Sequence, residues 1–176
     1  MSSSSNVFLV SQGANYEIEK AESLIWAPQK TKNNGAPMFY WESLTMIKAG
    51  DILLHCLQGN IVAVSEVMAQ LGEEGWQGYS TAPLPEKLIN RQETEGWLVK
   101  CEYVELNNGG LPLKNFRAVI LKYKSLKHSA FDKNGDLNNG YCYLLEPEIA
   151  DAVIKEMLNQ NPPLRQLDYL QDYLNG

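Results

Sequence analysis

Histidine and paired cysteine are nearly missing from this chain. Its two histidines, His55 and His128, stand far apart, so no Ser-His-Asp or Cys-His constellation and no histidine-rich metal site can be assembled from the sequence. The three cysteines, Cys56, Cys101 and Cys142, each sit inside an apolar run with no C-x-x-C spacing, the pattern of buried reduced thiols rather than of a disulfide framework or zinc site. Glycine-rich phosphate cradles of the G-x-G-x-x-G or G-x-x-x-x-G-K-[ST] type are lacking, which removes the usual signature of nucleotide-dependent catalysis. No catalytic residue and no cofactor are expected. No run approaches the roughly 18 apolar residues of a membrane-spanning helix, so no membrane partner is expected either. The start, Met1-Ser-Ser-Ser-Ser-Asn6, carries neither the basic cluster nor the apolar segment of a secretory signal; residues 1–5 read as a flexible N-terminus and the cytoplasm as the expected compartment.

What is present is ordinary globular material with an uneven charge. Hydrophobic residues make up 44% of the 176 positions, enough for one domain with a real core. The net charge of -6 argues against indiscriminate binding to phosphates. Between Asn107 and Phe131, however, there is no acid, while Lys114, Arg117, Lys122, Lys124 and Lys127 all fall there. One face is therefore expected to be locally positive. Asp132-Lys-Asn134-Gly-Asp136 opens like a calcium loop, but Leu137 stands where glycine is required and Tyr143 where a bidentate glutamate belongs, so it reads as a turn and no metal is expected.

Periodicity places a strand at 6–11, a short helix at 15–22 capped by Asn15, a short strand at 23–26 and a short helix at 41–48. The stretch 50–70 contains two β-rich runs around Gln58-Gly59-Asn60, which is hairpin chemistry. A long Gly- and Pro-bearing excursion spans 71–92, followed by an alternating strand at 96–106. A basic, partly helical element is expected at 113–124, a last strand at 141–145, a helix at 147–159 and, beyond Pro162-Pro163, a final amphipathic helix. Strands without regular crossover helices point to an α+β domain around a curved or closed sheet.

The chemistry that remains lies in aromatic residues next to loops: Trp26, Tyr40, Trp41, Trp76, Tyr79 and Trp97. Flat rings at loop borders suit a pocket for an extruded base, because stacking contributes roughly 1 to 3 kcal/mol per base. Trp97 alternates within a strand and reads as core, and Trp41 can anchor a helix. Trp26 and Trp76 stand where strand gives way to loop.

The order of blocks, "FLVSQ", "LIWAP" leading into a polar loop, "IKAGDILLHCLQGNIVAVSEV", "GWLVKCEYVEL" and "NGYCYLL", resembles the EVE and YTH group of PUA-like domains. In particular it resembles the N-terminal modification-sensing domain of modification-dependent (type IV) restriction endonucleases, in which an EVE domain precedes an HNH nuclease. The resemblance covers about residues 6–160, with 161–176 as a C-terminal helix or the start of a linker. It implies a PUA-like, twisted, barrel-like, mostly antiparallel sheet flanked by helices, with an aromatic cage for a modified base flipped out of the duplex. The family's first cage tryptophan matches Trp26, and the second cage aromatic falls in the region of Trp76 and Tyr79. Trp41 and Tyr40 border the same loop. The polar positions after the first strand fall on Ser11, Gln12 and Asn15, although the family's usual Ser-x-Pro is lacking there.

The expected function is therefore a DNA-binding module that flips a modified cytosine, 5-methyl or 5-hydroxymethyl, into that cage. Lys30 and Lys32 of the opening loop, with the run from Lys114 to Lys127, are expected to position phosphates. An HNH nuclease needs further His and Asn residues that do not follow here, so no cleavage is expected from this chain itself, and a fused nuclease is an expected partner. Rival readings are a reader of N6-methyladenine in DNA or RNA, a protein-interaction domain that pairs as a homodimer through its C-terminal leucines and tyrosines, and a small enzyme using His55 and Cys56.

Overall fold

Alternation in the first strand decides the layout of the whole molecule. In β1 (Val7–Gln12), Val7 and Leu9 point into one apolar cluster and Phe8 and Val10 into another, so the sheet is buried on both faces. The computed structural model describes residues 5–31, 33, 35–72, 75–89, 95–107 and 109–176. After β1 come α1 (Tyr16–Ala21), β2 (Leu24–Pro28), α2 (Phe39–Glu42) with a 3₁₀ turn behind it, and the hairpin β3 (Ile52–Leu57) and β4 (Asn60–Val67). The hairpin turn has both central residues at positive φ, Gln58 at 52° and Gly59 at 78°, the geometry that matches strand twist. β5 (Gln70–Gly72), β6 (Gly75–Gln77) and β7 (Ser80–Ala82) follow, then the ten-residue β8 (Gly96–Glu105).

The main sheet runs β10-β1-β3-β4-β8-β2, with β7 added on β8 and β9 (Leu111–Pro112) on β4. β10 is Cys142–Leu144. Every pairing among the described strands is antiparallel except β1 with β3. The curl comes from β8, whose second half pairs β4 (Ala63↔Glu105 to Val67↔Cys101) while its first half pairs β2 on one side and β7 on the other. One long strand shared between two sets of partners bends the sheet into a half-barrel.

Helices α3 (Arg117–Tyr123), α4 (Pro147–Gln160) and α5 (Asp168–Asn175) close the other face. α4 begins with proline at its first position and buries Ile149, Val153, Ile154, Met157 and Leu158, an apolar stripe at helical spacing. Leu164 and Leu170 join the same cluster, and the Tyr173 hydroxyl donates to Asp151 at 2.7 Å. The C-terminal leucines expected to serve an oligomer interface thus pack on the chain's own core.

Most elements lie where the sequence placed them. The excursion at 71–92 differs: it holds a small hairpin and β7, each strand three residues long, too short to show a period. The three cysteines are buried and free, Asp132 caps its own turn by accepting from the N–H groups of Asn134 and Asp136, and no cluster able to hold a metal occurs among the described residues. Among those residues no helix is long and apolar enough to cross a membrane.

Candidate functional site

Trp26 lies in β2 opposite Leu98 of β8, 3% exposed, with its indole Nε1–H donating to the Ala82 carbonyl of β7 at 3.1 Å. The ring lies directly against Gly96: a Cβ there would stand 2.3 Å from Trp26 Cε2 and Cζ2 and 2.4 Å from the Ala27 carbonyl oxygen. Only glycine lets a strand pass that close to an indole. Gly96→Ala is accordingly expected to displace the ring and lower stability by about 1 to 3 kcal/mol, measured by chemical denaturation; a neutral substitution would mean that the indole does not pack on this strand.

Beside the indole is a cavity of about 260 Å³, bordered by Ser11, Asn15, Glu19, Trp26, Trp41 and Tyr141, with Pro28, Leu88 and Ile89 at its edge. That volume is a little below the roughly 300–1,000 Å³ of drug-sized pockets and suits one planar ring system. Four of the eight residues singled out for base contact, Ser11, Asn15, Trp26 and Trp41, thus meet at one place. The remaining four do not. Gln12 is turned inward. Tyr40 packs edge-on against Trp41 and on Tyr143, and Tyr79 packs against the apolar cluster inside the curl. Trp76 is 74% exposed, opposite Leu71 on the small β5–β6 hairpin, and does not border the cavity.

A connected polar layer lies under the cavity. The Trp26 backbone N–H donates to the Tyr141 hydroxyl at 3.3 Å, and that hydroxyl donates to Glu19. Gln12 donates through Nε2 to the Tyr103 hydroxyl at 2.9 Å, which itself donates to the Leu24 carbonyl at 2.9 Å. The Gln12 amide also hydrogen bonds Glu19. With Nε2 so engaged, Gln12 Oε1 must accept from His55 Nδ1 at 2.8 Å, which fixes the tautomer: His55 Nε2 accepts from the Ser65 hydroxyl at 2.7 Å. The imidazole, fully buried and stacked on Tyr103 at 3.8 Å, stays neutral because burial pushes its pKa down to about 3. Burial raises the Cys56 thiol to about 12, so neither member of the His55 and Cys56 pair is suited to catalysis.

Glu19 is the residue that the sequence reading missed. It is 3% exposed, and burial raises its carboxyl to about 7 against the hydrogen bonds from Tyr141, Gln12 and the Trp26 backbone that lower it. The signal was available: helix α1 buries Tyr16 and Glu19, three positions apart, so an acid occupies the inward stripe of an amphipathic helix. Tyr141 carried no such signal, since only tertiary contact brings it to Trp26. Asn15, expected as a cap, makes no cap hydrogen bond; its amide donates to the Ile89 carbonyl at 2.5 Å and accepts from the Ile89 N–H at 2.9 Å, latching the excursion to the cavity rim.

The basic residues are spread along the surface. Lys30, Lys114, Lys122 and Lys127 are exposed and Lys124 is half-exposed, while Lys32 lies outside the described residues. Arg117 pairs with Asp136 at 2.7 Å and so braces the turn at 132–136. Lys127 borders a second hollow of about 360 Å³ that also includes Phe39, Met46 and Tyr143.

No protein-family model matches the chain, and no curated protein matches it. Among solved structures, a hypothetical protein from Leishmania major is similar over 89% of this chain and 96% of that one, with TM-score 0.52 and 9% identity. The Pho92 YTH domain in complex with m6A is similar over 87% of this chain and 86% of that one, with TM-score 0.51 and 12% identity. At such identities the likeness is one of fold: the chain is an α+β protein with the strongly curled half-barrel sheet and flanking helices of a YTH-like fold.

Proposed function

We propose that the chain is a reader module that takes a modified nucleobase, flipped out of a nucleic acid, into the cavity beside Trp26. The observation that carries this reading is the convergence of Trp26, Trp41, Ser11 and Asn15 on one 260 Å³ hollow in a YTH-like fold. Extruding a base costs a few kcal/mol, and aromatic and polar contacts in a snug pocket offset that cost. With a bound base, the Trp26 and Trp41 rings supply apolar contact and the Ser11 hydroxyl a hydrogen bond. Lys30 and the run Lys114, Lys122, Lys124 and Lys127 position phosphates, with Arg117 held to its turn.

A 5-methyl- or 5-hydroxymethylcytosine in double-stranded DNA, read on behalf of a modification-dependent restriction nuclease, is the ligand that the EVE-like block order supports. The second reading is N6-methyladenine in DNA or RNA; the m6A bound by the similar Pho92 domain favours it. Fluorescence-anisotropy titration with duplexes carrying 5-methylcytosine, 5-hydroxymethylcytosine or N6-methyladenine, against the plain duplex and the matching RNA, tests both. One modified strand is expected to bind at least tenfold more tightly than its plain counterpart, a difference of about 1.4 kcal/mol. Equal binding of all of them rules the proposal out.

A further inference from the structure

Most polar groups around the cavity are already occupied. The Asn15 amide is taken up on both sides by Ile89, the Trp26 indole N–H by Ala82, and the Tyr141 hydroxyl both donates to Glu19 and accepts from the Trp26 backbone. A carboxylate, by contrast, offers about four acceptor sites. Glu19 receives donors from Tyr141, Gln12 and the Trp26 N–H, so one site is left on a carboxyl that lines the cavity. All three partners present a donor to the carboxyl, and among the described residues no Lys or Arg borders the cavity. A buried carboxylate with no cation beside it gains from any further N–H brought to it.

We infer that Glu19 is the specificity residue of this cavity, accepting a hydrogen bond from an N–H on the edge of the bound base and giving up its own proton as the base enters. The inference rests on the base-reading function proposed above. The ligand class it selects is a nucleobase that keeps an exocyclic N–H after modification, which 5-methylcytosine and N6-methyladenine do and N6,N6-dimethyladenine does not.

Among the described residues no other group facing Glu19 titrates near neutrality. Tyr141 is raised well above its ordinary value by burial, Tyr103 likewise, and burial raises Cys101 to about 12. His55, beyond Gln12, is held neutral, and on the outer side of α1 Lys20 is paired with Glu17 and Glu105. With Glu19 poised at about 7, ligand binding that requires the ionised form strengthens as pH rises to that value and levels off above it.

Two measurements on the whole chain test this, using short DNA duplexes and the matching RNA with a single 5-methylcytosine, 5-hydroxymethylcytosine, N6-methyladenine or N6,N6-dimethyladenine. Anisotropy titrations from pH 6 to pH 8.5 should show affinity for the preferred N–H-bearing base rising with pH, by up to about tenfold per unit at the acid end, with the dimethylated base bound weakly throughout. Calorimetry in buffers of different ionisation enthalpy should detect close to one proton released per base bound at pH 6 and none at pH 8.5, without any variant. Glu19→Gln, its fold checked by circular dichroism, should bind more weakly and lose both the pH slope and the proton release. Preference for a modified base with flat affinity and no proton release overturns this inference alone. Lack of preference at every pH overturns the base-reading function and the inference with it.

Discussion

Replacing Trp26 with alanine is expected to lower stability by about 3 to 5 kcal/mol, the cost of deleting a buried aromatic side chain whose surroundings cannot collapse. The surroundings here are backbone: Gly96 lies under the ring, and β2, β7 and β8 are tied to one another by their ladders. Strand backbone cannot move into the space an indole leaves without breaking those ladders. The Ala82 carbonyl would also lose its donor. For a chain of this length each kcal/mol moves the melting temperature by roughly 2 to 4 °C, so a drop of roughly 6 to 20 °C should be read by calorimetry. Trp26→Phe keeps most of the apolar body and loses the Nε1–H, and should cost less than half as much. A loss below about 1 kcal/mol for Trp26→Ala would show that the ring is not wedged between these strands. The same variant should abolish preference for modified duplexes, and Trp26→Phe, which keeps most of the packing without the Nε1–H, separates loss of binding from loss of stability.

Substituting Glu19 with glutamine should change how stability depends on pH more than it changes stability at any one pH. Glu19 titrates at about 7 in the folded chain against an ordinary 4.5, so between those values the folded state holds a proton that the unfolded state has released. Stability from this group is therefore present at low pH and lost as pH rises toward 7, by about 1.4 kcal/mol per unit and on the order of 3 kcal/mol in all. His55 acts in the opposite direction. Its pKa falls from 6.5 to about 3 on folding, so between those values the unfolded state holds the extra proton and stability rises with pH. From pH 4.5 to pH 6.5 the two slopes offset each other. Glu19→Gln removes one of them. The variant should gain on the wild type by about 1.4 kcal/mol per unit as pH rises from 4.5 to 7, on top of a constant penalty for pointing an amide N–H₂ at the Gln12 amide. Urea denaturation from pH 5 to pH 8 reads this as a difference between two curves, in which contributions from other groups cancel; parallel curves would show that Glu19 is not buried in this layer.

The cavity shows where sequence reasoning reaches its limit. Trp26 stands out in the sequence because a continuous apolar run gives way to loop beside it, whereas Ser11 is marked only by the family resemblance. Gln12, expected at the base edge, turns its amide inward to His55, and no local signal announces this because adjacent strand residues face opposite sides. Trp76 attracted attention as an aromatic ring in a loop, yet its hairpin holds it out in solvent. Tyr141 lies 115 residues from Trp26, and nothing local to either announces their contact.

Period and punctuation by themselves determined the order of the longer strands and helices, the hairpin at Gln58-Gly59 and the buried free thiols, because each follows from a residue's nearest neighbours in the chain. Tertiary structure alone decided the curl of the sheet, the close pass of Gly96 beneath the indole and the meeting of Glu19 with Tyr141 beside the cavity. Those depend on which distant strands share β8, and on how little water reaches the space between them.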